Sequence, residues 1–214
     1  QMALSKADVN NINVTAAASK AIKWNSAADG FETGDLSGNT VLLSTATASS
    51  SATLDFTSGI DSTYKEYVFK FINIHPATDR AFLQFQVDTG TNTNYNQAIT
   101  STYFHFYHDE ADTATGLAYV ASKDLAQGTG FQTISYNTSN DNDACSVGTL
   151  HLYDPSNTTF VKHFIAEFSS HDDGYSDNPF AVGYINTTTA ITRIQFKFSG
   201  GNIDSGVIKM YGIT

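Results

Sequence analysis

The chain has 214 residues, of which 41% are hydrophobic, 13% are aromatic and 15% are charged, and its formal net charge is -10. An acidic chain without a cluster of Lys and Arg repels phosphate backbones, which argues against nucleic-acid binding. No apolar run approaches the ~18 residues that a membrane-spanning helix needs, so we expect no membrane insertion. The lone Cys145 excludes an intrachain disulfide, which fits synthesis in a reducing cytoplasm.

Residues 1–40 differ in composition from the rest of the chain. The segment 3–18 is rich in small residues and weakly periodic, and Ile22, Trp24 and Phe31 follow around a Gly/Asp turn. Three large apolar residues are too few to bury a core of their own. We therefore expect a short extended N-terminal arm or stalk segment, with these three residues as its assembly contacts.

From Val41 onward, strand signals come at regular intervals, because aromatic and β-branched residues alternate with polar ones between Gly, Asn and Asp turns. The run 67–74 is apolar on both faces around Lys70, which predicts a central strand. Ala81, Leu83, Phe85 and Val87 alternate with glutamines, which predicts a half-exposed strand. The predicted strands are 41–48, 52–57, 64–74, 81–87, 99–107, 117–121, 130–136, 147–153, 159–169, 179–185, 191–198 and 206–212.

The C-terminal segment 191–214 carries a strong alternation of apolar and polar residues. Two alternating runs flank a loop of Gly, Asn, Asp and Ser, which predicts an antiparallel hairpin. Twelve short strands with almost no helical pattern predict two packed antiparallel sheets. The predicted fold is therefore an all-β, jelly-roll-like sandwich over residues 41–214, preceded by the arm over residues 1–40.

Several segments resemble structural proteins of tailed bacteriophages, marine ones especially. TSGIDSTYKEYVF (57–69), TYFHFYHDEADTATGLAY (102–119), LHLYDPSNTTFVKHF (150–164) and GGNIDSGVIKMYGI (200–213) resemble β-sandwich modules of tail-fibre-like proteins, and SKAIKWNSAADGFETGD (19–35) is similar to a short repeat of fibre stalks. The resemblance implies a virion protein, made in the host cytoplasm, that contacts other virion proteins and forms a homotrimer. Such proteins share a fold and no reaction, so the resemblance assigns no functional residue.

One acidic loop could bind calcium. Asp172, Asp173 and Asp177, with Asn178 and main-chain carbonyls around Gly174, could supply the oxygen ligands that Ca²⁺ prefers. The alternative is a solvated turn between two strands. No other cofactor is indicated.

The sequence gives little support for catalysis. His105 and His108 would point to opposite faces of a strand and could not easily share a metal ion. No Gly-x-Ser-x-Gly motif occurs, and acidic neighbours of Cys145 should raise the pKa of its thiol. A pair of distant carboxylates remains the open catalytic alternative. We expect the protein not to be an enzyme.

Tyrosines are frequent in or beside the predicted loops. A tyrosine ring can stack on a sugar while its hydroxyl forms hydrogen bonds, so Tyr95, Tyr107, Tyr136 and Tyr175 are candidate ligand contacts. The alternative is that these rings are buried in the sandwich. The longest polar connections, at 88–98, 108–116, 137–146 and 170–178, are the expected recognition loops.

Two functions of different classes follow. The first is a tail-fibre or appendage tip that recognises a host surface glycan. The alternative is a free carbohydrate-binding module, or a spacer or adaptor of the particle without a recognition role.

Overall fold

The computed structural model describes residues 20–24, 27, 31–35 and 40–214. The chain divides into two compact units, residues 1–41 and residues 42–214. Throughout the described residues the regular structure is strand alone, and none of them belongs to a helix that could span a membrane.

Fifteen strands are described, and their bounds are as follows. They are β1 (Lys20–Trp24), β2 (Phe31–Asp35), β3 (Thr40–Thr47), β4 (Leu54–Phe56), β5 (Glu66–Pro76), β6 (Leu83–Thr89), β7 (Ile99–Asp109), β8 (Thr115–Tyr119), β9 (Ala126–Gly128), β10 (Gln132–Thr133), β11 (Ser146–Tyr153), β12 (Lys162–Asp172), β13 (Tyr175–Ile185), β14 (Ile191–Phe198) and β15 (Ile203–Ile213).

The first unit contains a two-stranded antiparallel ribbon of β1 and β2. Trp24 pairs with Phe31 across the ribbon, and the two rings stack with their centroids 4.4 Å apart. Ile22, Trp24 and Phe31 are all exposed, at 47%, 62% and 43%. A ribbon of two strands is marginally stable in water, so these side chains are suited to contact another surface.

The second unit is an antiparallel β-sandwich, as the sequence predicts. The larger sheet has nine strands in the order β3-β15-β5-β11-β12-β13-β7-β8, with β9 also paired to β7, and the smaller sheet has the order β10-β6-β14-β4. Alternation of apolar and polar residues leaves each long strand one buried row, and these rows face each other between the sheets. The jelly-roll topology itself stays a prediction.

Aromatic side chains hold the two sheets together. Phe196 of the smaller sheet is fully buried, with its ring centroid 5.4 Å from that of Phe69 and 5.1 Å from that of Phe71. Both partners lie on β5, which runs between β15 and β11 and is the predicted central strand. A second inter-sheet contact joins Phe85 to Phe164, with centroids 5.0 Å apart.

The predicted C-terminal hairpin is wrong. β14 pairs with β4 and β6 in the smaller sheet, whereas β15 pairs with β5 in the larger sheet. The connection between β14 and β15 forms hydrogen bonds with the segments after β3 and β5. The Asn202 amide donates to the Ser50 carbonyl, and the Ala77 N–H donates to the Asn202 carbonyl. A short polar loop between alternating strands therefore crosses from one sheet to the other here.

The predicted half-exposed character of the strand 81–87 holds as far as Phe85, where buried and partly exposed residues alternate, and fails at Gln86. Gln86 is fully buried, and its side-chain amide donates to the carbonyls of Gln97 and Gly130 at 2.9 Å each. A buried amide is tolerated because its hydrogen bonds are satisfied by the connections that cover the strand.

The smaller sheet covers only part of the inner face of the larger one. β7, β12 and β13 have 11 residues each, whereas β6 has 7 and β10 has 2. Beyond the smaller sheet, the connection that follows β10 lies over the ends of the long strands, where the Ser139 N–H donates to the His171 carbonyl at 3.1 Å. The inner face at this end is polar, and it carries the candidate site.

Candidate functional site

A surface cavity of about 520 Å³ lies at this end of the sandwich. Its size is within the range of small-molecule sites. It brings together three of the four predicted ligand tyrosines and two of the three predicted calcium aspartates. Its lining residues are Arg80, His105, Tyr107, Ala118, Tyr136, Asn137, Asp172, Tyr175 and Asp177.

A tight hairpin between β12 and β13 positions the two aspartates. Asp173 and Gly174 form its two-residue turn, and both have positive φ, 43° and 80°. This Asp-Gly pair suits a type I′ turn, whose twist matches that of antiparallel strands. The turn between two strands, which is the alternative to a calcium site, is therefore present. The predicted long connection over 170–178 is wrong, because strand pairing continues to Asp172 on one side and resumes at Tyr175. Pairing in turn places Asp172 and Asp177 on the inner face.

Asp172 combines deep burial with an incomplete set of partners. Its side chain is 4% exposed, and its Oδ2 contacts Arg80 Nη2 at 2.9 Å. Its Oδ1 is buried and accepts no hydrogen bond from the described residues. Burial raises the pKa of this carboxyl group, and Arg80 and Asn137 only partly oppose the shift. The Asn137 side chain thus favours the ionised carboxyl group, while Oδ1 remains without a hydrogen-bond partner among the described residues.

Arg80 closes one wall of the cavity. It lies before β6 in a left-handed conformation, with φ of 54°. Besides Asp172, its guanidinium contacts the Oδ2 of Asp173, with 3.6 Å between Nη1 and that oxygen. The cation is therefore shared between a buried carboxylate and an exposed one.

His105 and Asp177 form a buried pair in the lining of the same cavity. His105 Nδ1 lies 2.9 Å from Asp177 Oδ1, and the two side chains are 7% and 4% exposed. Burial raises the pKa of Asp177, and the hydrogen bond from His105 opposes that shift. The pair fixes the plane of the imidazole ring, which in turn supports the tyrosines.

The tyrosines are arranged around this imidazole. The His105 ring stacks between Tyr136 at a centroid distance of 4.0 Å and Tyr107 at 5.3 Å. Tyr175 meets Tyr107 edge to face at 6.1 Å. Tyr107 also crosses the neighbouring strand at Gly116, where an added Cβ would lie 2.8 Å from its hydroxyl oxygen. The three partly exposed tyrosine rings thus have fixed positions around one cavity.

Tyr95 does not join this site, and its assignment as a surface contact is wrong. It is 7% exposed, has φ of 47°, and its N–H donates to the Oδ2 of Asp88 at 2.9 Å. Asp88 is itself fully buried and also accepts a hydrogen bond from Gln97. Tyr95 therefore anchors the connection between β6 and β7.

The predicted calcium ligands are not arranged around a common point. Asp172 and Asp173 contact Arg80, whereas Asp177 contacts His105. Across residues 20–24, 27, 31–35 and 40–214, no group of three or more His, Cys, Asp and Glu side chains could hold a metal ion. The guanidinium already supplies the positive charge that a cation would bring.

Other sequence arguments about the histidines and the cysteine can be compared with the structure. His105 is buried and His108 is exposed, which confirms that they lie on opposite faces of β7. The pKa of Cys145 is raised, but the cause is burial and not its acidic neighbours.

The sequence pattern did not point to Arg80 or to Asn137. Arg80 is an isolated residue in a connection, and its role depends on a left-handed backbone that brings it to β12. The position of His105 in the site could be inferred from the sequence, because period two places it on the same face of β7 as the buried Tyr103 and as Tyr107.

The fold and the cavity define an antiparallel β-sandwich with a tyrosine-lined polar site. No protein-family model matches the chain, and no curated protein does either. Among solved structures, it is similar to the crystal structure of the infectious bursal disease virus VP2 subviral particle, with 11% identity and a TM-score of 0.15. The match covers 91% of this chain and 46% of the VP2 chain, so this chain spans less than half of the length of VP2. A likeness this weak carries no argument about function.

Proposed function

We propose that this chain is a virion structural protein of a tailed bacteriophage, and that its sandwich is a fibre or appendage tip that binds a saccharide on the host surface. The phage assignment is supported by the segments that resemble tail-fibre modules across residues 41–214. The saccharide assignment is supported by the cavity. Catalysis is not part of the proposal.

The observation that carries the binding role is the convergence of Tyr107, Tyr136 and Tyr175 on one cavity with Arg80 and Asp172. Tyrosine rings offer apolar faces that suit the C–H faces of a sugar, and their hydroxyls can form hydrogen bonds. The charged and amide groups beside them supply directional contacts for sugar hydroxyls. A few polar groups in a partly apolar cavity are typical of small-molecule sites.

The ribbon of β1 and β2 supports an assembly role for the first unit. Ile22, Trp24 and Phe31 form an exposed apolar cluster that three copies could bury around a shared axis. In this proposal the ribbon contributes to a homotrimer and joins the tip to other virion proteins.

The binding role is tested by replacing tyrosines and measuring attachment to host cells and to a glycan array. We expect Tyr107→Ala and Tyr175→Ala to weaken binding about tenfold each, because an aromatic face is lost from the cavity. Tyr211→Ala is the matched control, since Tyr211 is a partly exposed tyrosine on β15 beside Lys70 and does not line the cavity. Normal attachment by both cavity variants would favour a spacer or adaptor role.

A free carbohydrate-binding module is the second candidate, because the same cavity would serve it. Mass spectrometry of purified virions separates the two. The protein should be present in stoichiometric amounts, and its absence from intact particles would favour the free module.

A further inference from the structure

The buried oxygen of Asp172 indicates what a ligand in this cavity must offer. Asp172 is 3% exposed, it lines the cavity, and its Oδ1 lacks a hydrogen bond from the described residues. A carboxylate oxygen only accepts hydrogen bonds, and a buried acceptor left without a donor is unfavourable. The complementary ligand group is therefore a donor, such as a sugar hydroxyl.

The charges around the cavity disfavour an anionic ligand. Among the described residues that line it, Arg80 carries the only fixed positive charge, and both Asp172 and Asp173 contact its guanidinium. Asp177 adds a further buried carboxyl group to the lining. Two carboxyl groups of the lining, with Asp173 beside them, thus outnumber one guanidinium that already contacts Asp172 and Asp173.

We propose that the ligand is a neutral saccharide that donates a hydroxyl hydrogen bond to Asp172 Oδ1, and that the site rejects sugars with a carboxylate. This inference rests on the proposed saccharide-binding function and specifies its ligand class. A sugar carboxylate would bring a like charge next to Asp172 and Asp177, whereas the Arg80 guanidinium already contacts two carboxylates. Like charges at close range disfavour binding.

Matched pairs of sugars test the proposal on the unmodified full-length chain. The probes are the neutral methyl glycosides of glucose, galactose and mannose and the corresponding uronates, which differ only in oxidation at C6. Binding is measured by titration calorimetry and by saturation-transfer NMR. We expect at least one neutral glycoside to bind and its uronate to bind at least about tenfold more weakly.

Two variants then assign the discrimination to named residues. In Asp172→Asn we expect neutral binding to fall about tenfold or more, because an amide cannot keep both acceptor oxygens. In Asp173→Asn the unpaired oxygen of Asp172 remains, so neutral binding should stay within about twofold. This second variant also removes the contact of Arg80 with the Asp173 carboxylate. The difference in affinity between the neutral glycoside and its uronate should therefore decrease.

The outcomes separate this inference from the broader function. A uronate that binds as tightly as its neutral partner, with Tyr107→Ala still harmful, would overturn the neutral-sugar inference and leave saccharide binding standing. No binding of any probe, and none on a glycan array, would overturn both. Unchanged neutral binding in a folded Asp172→Asn variant would remove Asp172 from the recognition role.

Discussion

The two halves of β12 are equally buried but differ in chemistry. Its inner row runs Phe164, Ala166, Phe168, Ser170 and Asp172, and these residues are 1%, 0%, 1%, 2% and 3% exposed. The first three belong to the hydrophobic core, where Phe164 contacts Phe85 of the smaller sheet, whereas Asp172 lines the cavity together with Tyr136. Burial of apolar groups stabilises a fold, but burial of a carboxyl group opposes it unless its partners are complete. The difference supports the proposed binding role of the polar end.

The largest change in stability is expected from a substitution at the apolar end. Phe196→Ala should lower the free energy of unfolding by about 3–5 kcal/mol, because it opens a cavity among the rings of Phe56, Phe69 and Phe71. Chemical denaturation measures this effect. Phe160→Ala is the matched control, since Phe160 is 69% exposed and should change stability by no more than about 0.5 kcal/mol.

The contribution of the polar end to stability should change with pH in the opposite direction to that of an ordinary surface ion pair. The pKa of Asp177 is raised by burial above its usual value of 3.8, so the unfolded chain ionises first as pH rises. The parent protein then loses stability until pH passes the raised pKa of the folded state. Asp177→Asn has no such ionisation, so its stability relative to the parent should increase over this window.

Asp154→Asn is the control for this pH dependence. The pKa of Asp154 is lowered, first by the Asn157 side chain and then by Lys65, so its carboxylate stabilises the fold above the usual pKa. The free energy of unfolding of the variant should therefore decrease relative to that of the parent as pH rises. Urea unfolding between pH 3 and pH 7 gives the free energy of unfolding of each variant, relative to the parent, as a function of pH. The same pH dependence in both variants would contradict the opposite pKa shifts of Asp177 and Asp154.

A smaller effect on stability, but a clear one on binding, is expected at Gly116. In Gly116→Ala the new methyl group would meet the Tyr107 ring at 2.8–2.9 Å and displace it from the cavity. Binding to the saccharide should weaken severalfold while the melting temperature changes by a few degrees at most. Gly130→Ala is the control, because an added Cβ there meets nothing within 4 Å. Equal binding by both variants would show that Tyr107 needs no fixed position.

The smallest effect on the sandwich is expected from the first unit. Trp24→Ala removes the most exposed ring of the ribbon and should weaken self-association while leaving the unfolding free energy of the sandwich within about 0.5 kcal/mol. Sedimentation equilibrium at micromolar concentration measures the association. Leu117→Ala, at a residue that is 72% exposed in the sandwich, is the control. An unmodified chain that stays monomeric would contradict the homotrimer.

The strand pattern could be predicted from the sequence because period two is a local signal. Each of the twelve predicted strands overlaps a strand of the structure, and the inner row Phe164, Ala166 and Phe168 is as expected. The alternation on β12 continues beyond residue 169, the predicted end of this strand. Two more steps of the same alternation reach Asp172, and the Asp-Gly pair marks a tight turn there.

The remaining errors concern which segments meet in space, and local patterns do not carry that information. Alternation in β14 and β15 is the same whether the strands pair with each other or join different sheets. Arg80 and Tyr136 are 56 positions apart in the printed sequence, and only the fold brings them to one cavity. Tyr95 looked exposed because its neighbours are polar, but a buried carboxylate holds its backbone inside.

The separation of β14 and β15 into different sheets has a consequence for the order of folding. β14 lies between β4 and β6, and β15 lies beside β5, so strands early in the sandwich pair with strands that follow them after a long stretch of chain. Pairings distant in sequence carry a high loop-closure entropy and are typical of slow folding. β4, one edge of β5 and one edge of β6 therefore cannot complete their strand pairing until residues 191–213 have left the ribosome. During that interval the unpaired strands are at risk of aggregation, so chaperone binding during synthesis should matter more for this protein than its final stability suggests.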